Sequence, residues 1–138
     1  MKKLPTIISV IILLISPVYL KAQVINNEKE EITRVINLYL AVTDSKDSSA
    51  IAKAFHPDAK LMSVLKSGIL KQMTQAEWWA RVSKITNPKV RKSNVTILDV
   101  TGISAVVKVE FETSCDHISL LKINNEWKII NKSLSIVL

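Results

Sequence analysis

With one cysteine, two glycines and two histidines in 138 residues, the chain is short of the residue types on which several chemistries depend. A lone Cys115 closes no intramolecular disulfide, so packing must hold the fold. Gly68 and Gly102 stand too far apart to build a phosphate-cradling loop, and His56, His117 and Cys115 lack the spacing of metal ligands. No metal and no cofactor is therefore expected. Charge of one sign is also scarce in any one place. The 19 basic residues outnumber the 12 acidic ones, but the lysines are scattered without a run or stripe, which argues against nucleic acid as a partner.

No apolar run is long. Ile7 to Ile15 is apolar apart from Ser9, and Pro5, Thr6, Ser16 and Pro17 interrupt it, short of the ~20 residues that a bilayer-spanning helix takes. Behind Lys2 and Lys3 this segment reads as a signal peptide, with Ala22 before Gln23 as the cleavage point. The expected organisation is a leader over residues 1–22 and one domain over residues 23–138. It would be exported to the periplasm or secreted, with no stable membrane insertion once the leader is gone. Three basic residues fall in the leader, so the remaining domain is only weakly basic.

Asn27 and Glu30 form a capping-box-like pair, and Ile32, Val35, Ile36, Tyr39 and Leu40 follow at helical spacing, predicting a first helix to about Val42. A second, shorter helix beginning near Asp47 buries Ile51, Ala54 and Phe55 and must end before Pro57. Ala59 to Leu65 and Ile69 to Met73 read as a hairpin turning at Ser67-Gly68. Thr74 and Glu77 make a T-x-x-E capping box for a third helix that puts Trp78, Val82 and Ile85 on one face and stops at Asn87-Pro88. Four strands follow, Ser93–Val100, Ile103–Thr113, Asp116–Ile123 and Glu126 to about Ile136, joined at Thr101-Gly102 and Asn124-Asn125 by residues that tolerate positive φ. Val107, Val109 and Phe111 alternate with Lys108, Glu110 and Glu112, so one sheet face should be packed and the other partly wet. The fold class is α+β, in the order ααββαββββ. Three helices cannot cover both faces of a long twisted sheet, so they should gather on the concave side of about six antiparallel strands and leave a cone with an interior pocket.

Two segments carry a family likeness. Ala54-Phe55-His56-Pro57-Asp58-Ala59 resembles the junction between second helix and first strand in the nuclear transport factor 2-like superfamily, which includes SnoaL-like and ketosteroid isomerase-like cones. Residues 116–132, Asp-His-Ile-Ser-Leu-Leu-Lys-Ile-Asn-Asn-Glu-Trp-Lys-Ile-Ile-Asn-Lys, resemble the last hairpin of the branch called putative lumazine-binding, with His117 where that branch has an aromatic. The resemblance implies the cone and covers residues 23–138. It brings no lumazine-contacting motif, and the leader separates this chain from any nuclear transport role.

In such a cone the pocket would be lined by Tyr39, Phe55, Trp78, Phe111 and His117. Tyr39 and Trp78 carry polar groups that need partners when buried. His117 has the titration range for acid or base work, but Asp116 faces the other side of a regular strand and cannot orient it. The expected function is an exported, non-catalytic domain that holds a small, largely apolar molecule. The alternative is a pocket enzyme, an isomerase, dehydratase or hydrolase, in which His117 works with Asp58 or Tyr39 as acid and base. A homodimer is expected through the sheet's outer face, with Ile118, Leu120 and Ile130 as its apolar contacts.

Overall fold

The structure, a computed structural model, describes residues 17–86 and 90–136. Most of the expected leader lies outside the described residues. The first helix, α1, runs Pro17–Asp44 and so begins ten residues before Asn27. Asn27 and Glu30 sit within the helix and do not start it. Nothing between Val18 and Asn27 is a glycine or proline, and a helix once nucleated extends through such a stretch without needing a cap. Of the predicted stripe Ile32, Val35, Ile36 and Tyr39 are shielded from solvent and Leu40 is half-buried, while Val42 completes the buried face.

After α1, Asp47 caps a single 3₁₀ turn at Ser48–Ala50 by accepting the Ser49 N–H, and α2 occupies only Ile51–Ala54. The chain turns extended at Phe55, two residues before Pro57, consistent with the bias that proline imposes on the residues ahead of it. Strand β1, Phe55–Val64, and β2, Leu70–Thr74, form the expected hairpin, with Gly68 at φ 81° in the turn. Thr74 then starts α3, Gln75–Val82, through the predicted capping box: the Glu77 N–H donates to Thr74 Oγ1 at 3.2 Å and the Thr74 N–H donates to Glu77 Oε2 at 2.7 Å. The helix ends earlier than Asn87-Pro88, and residues 87–89 fall outside the description.

Strands β3 (Asn94–Thr101), β4 (Ser104–Glu110), β5 (Ser114–Ile123) and β6 (Glu126–Ile136) are antiparallel neighbours in series. Asn124 and Asn125 have φ 50° and 66°, and Gly102 has φ 57°, as those two connections require. The sheet order is β2-β1-β6-β5-β4-β3. Because β1 lies parallel to β6, the six strands make a mixed and not a wholly antiparallel sheet. Helices α1, α2 and α3 pack on its inner face, giving the α+β cone in the order ααββαββββ.

Two irregularities set which side chains look inward. The β5–β6 register slips between Ser119 and Leu120, leaving Ile130 as an extra residue, so the inward phase passes from Trp127 and Ile129 to Lys132. A second slip, between Ile97 and Asp99, bends β3. The β4–β5 register pairs Val107 with Ile118 and Val109 with Asp116, and residues directly opposite in an antiparallel pair share a face. Ile118 and Leu120 are therefore in the core, 0% and 1% exposed, and not on the outer face expected of them. His117, paired with Lys108, takes the outer face. Burying each large aliphatic side chain of this core contributes on the order of 1.5–3 kcal/mol.

Candidate functional site

The inner face of β5 and β6, the C-terminal half of α1 and one side of α3 border an open cleft of about 550 Å³. Tyr39, Phe55 and Trp78 meet beside it. The Tyr39 ring lies edge-on to Phe55 at 6.0 Å and stacked with Trp78 at 6.0 Å, while Phe55 and Trp78 are 5.3 Å apart. Tyr39 and Trp78 line the cleft; Phe55 supports them from the core.

The cleft floor is polar. Asp116, 2% exposed, accepts from Tyr39 Oη on Oδ2 at 2.5 Å and from Lys132 Nζ on Oδ1 at 2.8 Å. Lys132 is itself only 7% exposed. The β5 alternation turns Asp116 inward with Ile118 and Leu120, and the Ile130 bulge turns Lys132 to meet it. Burial first, then the charge and hydrogen bond of Asp116, hold the Tyr39 phenol well above its ordinary value near 10, while the Arg91 charge pulls the other way. Tyr39 is therefore a neutral donor already committed to Asp116.

Two more cations reach the cleft. Arg91 is held from three sides: its guanidinium lies 3.9 Å over the Phe111 ring, Nε donates to Asp44 Oδ1 at 3.2 Å, and Nη2 donates to Thr43 Oγ1 at 2.9 Å. Lys46 Nζ donates to the Val82 carbonyl, 2.5 Å away, at the end of α3. Apolar walls come from Trp78 and Val82 on α3, Ile85 beyond it, and Leu134 and Ile136 on β6. Two other grooves, of about 390 and 360 Å³, run along the solvent side of α1 and are lined by polar and exposed residues such as Asn27, Glu30 and Arg34.

Of the five residues expected to line the pocket, the structure brings Tyr39, Phe55 and Trp78 together and places Phe111 behind Arg91 as its platform. His117 is the exception: it is exposed on the outer face, because the β4–β5 register gives the inner face to Asp116 and Ile118. Asp58 does not line the cleft either. Its side chain is 90% exposed on the irregular start of β1, with Oδ2 3.8 Å from His56 Nδ1. The acid–base set of His117 with Asp58 or Tyr39 is thus not assembled. Cys115 is buried, which pushes its thiol pKa up.

Sequence reasoning passed over Asp116, Lys132, Arg91 and Lys46. Asp116 could have been found, since Asp116, Ile118 and Leu120 recur every second residue and two of the three are strongly apolar. A fainter signal points to Lys132: the apolar phase of β6 is odd at Trp127 and Ile129 but even at Leu134 and Ile136, so a bulge must lie between.

A crystal structure from Methylobacillus flagellatus described as an NTF2-like protein of unknown function has this fold, with a TM-score of 0.71 and 24% identity over 81% of this chain and 94% of that one. Another, from Shewanella baltica and described in the same way, gives a TM-score of 0.70 at 19% identity over 80% and 94% of the two chains. A third from Silicibacter pomeroyi gives 0.69 at 18% identity, covering 80% and 97%. These likenesses show the fold alone. No curated protein matches the chain. A family model described as "Putative lumazine-binding" matches residues 27–135, which include the capped α3, the aromatic trio and the Asp116–Lys132 floor. On that match the chain belongs to the "Putative lumazine-binding" family, and its fold is that of the NTF2-like structures.

Proposed function

We propose that this protein is an exported, non-catalytic domain that binds a small, mostly apolar molecule in the cleft between α3 and the inner face of β5–β6. The observation that carries it is an open cleft of about 550 Å³, within the range of small-molecule sites, with an aromatic and aliphatic wall above a polar floor. The floor favours binding over turnover. Asp116 accepts a bond on each oxygen and the Tyr39 hydroxyl is engaged as one of the donors, so both groups are held by each other and by Lys132, an arrangement that suits a fixed floor better than proton transfer. Export is supported by Lys2, Lys3 and the Ile7–Ile15 run.

A thermal-shift screen of small molecules tests the binding role. Apolar compounds should raise the unfolding temperature of the native protein and fail to do so in Leu134→Trp, whose added ring occupies the cleft. A screen in which both proteins respond alike would remove the cleft from the proposal. The homodimer proposed alongside it keeps Ile130 from the expected contacts and adds Val106, 37% exposed, in place of Ile118 and Leu120. Light scattering that shows a monomer at micromolar concentration would end that part.

A further inference from the structure

We infer that the molecule held in this cleft is a monoanionic amphiphile, a carboxylate on an apolar body, bound with its charged group on the floor against Lys132 and Arg91 and its apolar end at the rim. This rests on the binding role proposed above and specifies its ligand. Three observations carry it independently of one another.

The first is charge. Among the described residues that line the cleft or pair with those that do, three are cationic, Lys46, Arg91 and Lys132, and two are anionic, Asp44 and Asp116. Tyr39 stays neutral. Lys46 spends its hydrogen bond on the neutral Val82 carbonyl, so the set carries one positive charge more than its own members cancel. A single negative charge on the ligand would balance it.

The second is unspent donors. A lysine ammonium has three N–H groups, and among the described residues Asp116 is the one acceptor for Lys132. Arg91 uses Nε and Nη2 on Asp44 and Thr43, which leaves Nη1 of its planar fork. A carboxylate has two oxygens and suits such a pair, and charge-assisted bonds of this kind are the strong ones.

The third is polarity along the depth of the cleft. Asp116 and Lys132 at the floor are almost wholly shielded, whereas Ile85 and Ile136 at the rim are 55% and 65% exposed. Exposed aliphatic side chains beside a cation-rich floor fit a molecule that enters charged end first and covers those side chains with its apolar end.

The test is calorimetric titration of the purified protein with decanoate, decanol and decylamine, which share a chain and differ in charge. Decanoate should bind at least about ten-fold more tightly than decanol, the scale of one charge-assisted hydrogen bond, and decylamine more weakly than either. Lys132→Met should abolish the preference for decanoate. Because that change also strands Asp116 in the core, Arg91→Gln serves as the second variant: it should keep decanol affinity and cut the preference several-fold. Extending the carboxylate from octanoate to decanoate should strengthen binding by about three- to four-fold per methylene while the chain still covers the rim. Equal affinity for decanoate and decanol would overturn the anionic assignment and leave the binding role standing. Failure of all three to bind, with no small molecule carried through purification, would overturn both together.

Discussion

Asp116 is the residue on which the interior depends. It is a buried carboxylate that is tolerable because Lys132 and Tyr39 both donate to it. Removing one side of such a pair leaves the other charge stranded. Lys132→Met is therefore expected to destabilise the fold by about 3–5 kcal/mol, while Asp116→Leu with Lys132→Met, which removes both charges, should recover much of that loss in urea unfolding. A double variant no more stable than the single one would show that the pair is not buried as described. Tyr39 gives a pH signature. Its pKa in the folded state lies above its unfolded value, so its contribution to stability is complete below about pH 10 and is lost as pH rises past it. Tyrosinate absorbance from Tyr39 should appear only with unfolding, and Tyr39→Phe should flatten the alkaline fall in stability. The floor was half visible in the sequence. Tyr39 and Trp78 stood out because a buried aromatic with a polar group needs a partner, but His117 drew attention by its chemistry while the β5 alternation pointed to Asp116.

The secondary-structure elements were the more readable level, because their signals are local. Thr74 and Glu77 announced α3, the Val107–Val109 alternation announced β4, and the positive-φ pair Asn124-Asn125 announced the last hairpin. What could not be read was anything set by pairing between distant residues: the face of β5, the parallel β1–β6 contact and the bulge at Ile130. The attachment of α1 is of the same kind. Glu28 accepts from Lys122 Nζ and from Trp127 Nε1, both at 2.6 Å, and so pins the helix to the β5–β6 hairpin. These bonds, that of Lys122 foremost, hold the Glu28 carboxyl below its ordinary range, so its contribution is present above the unfolded carboxylate pKa and is lost as pH falls through the folded one. Glu28→Leu leaves the buried Trp127 N–H without its acceptor and is expected to cost about 1–3 kcal/mol, with faster amide exchange along the start of α1. Exchange unchanged there would mean that α1 is anchored elsewhere.

Taken together, the cone joins a hydrophobic core made by α1 and the sheet to a cleft bordered by α3, β5 and β6. The Tyr39–Asp116–Lys132 contact closes the bottom of that cleft, and α3 with Arg91 builds its side. Composition alone argued against an intramolecular disulfide, a phosphate loop and a metal cluster; it could not locate a cleft, which exists only once β6 bulges and α3 docks. Native mass spectrometry of the protein purified from its own source tests whether that cleft is a binding site. The prediction is a complex heavier than the polypeptide by one small molecule, which is released on unfolding and is an organic acid. A bare polypeptide mass that stays bare when decanoate and decanol are added at saturating concentration would contradict it.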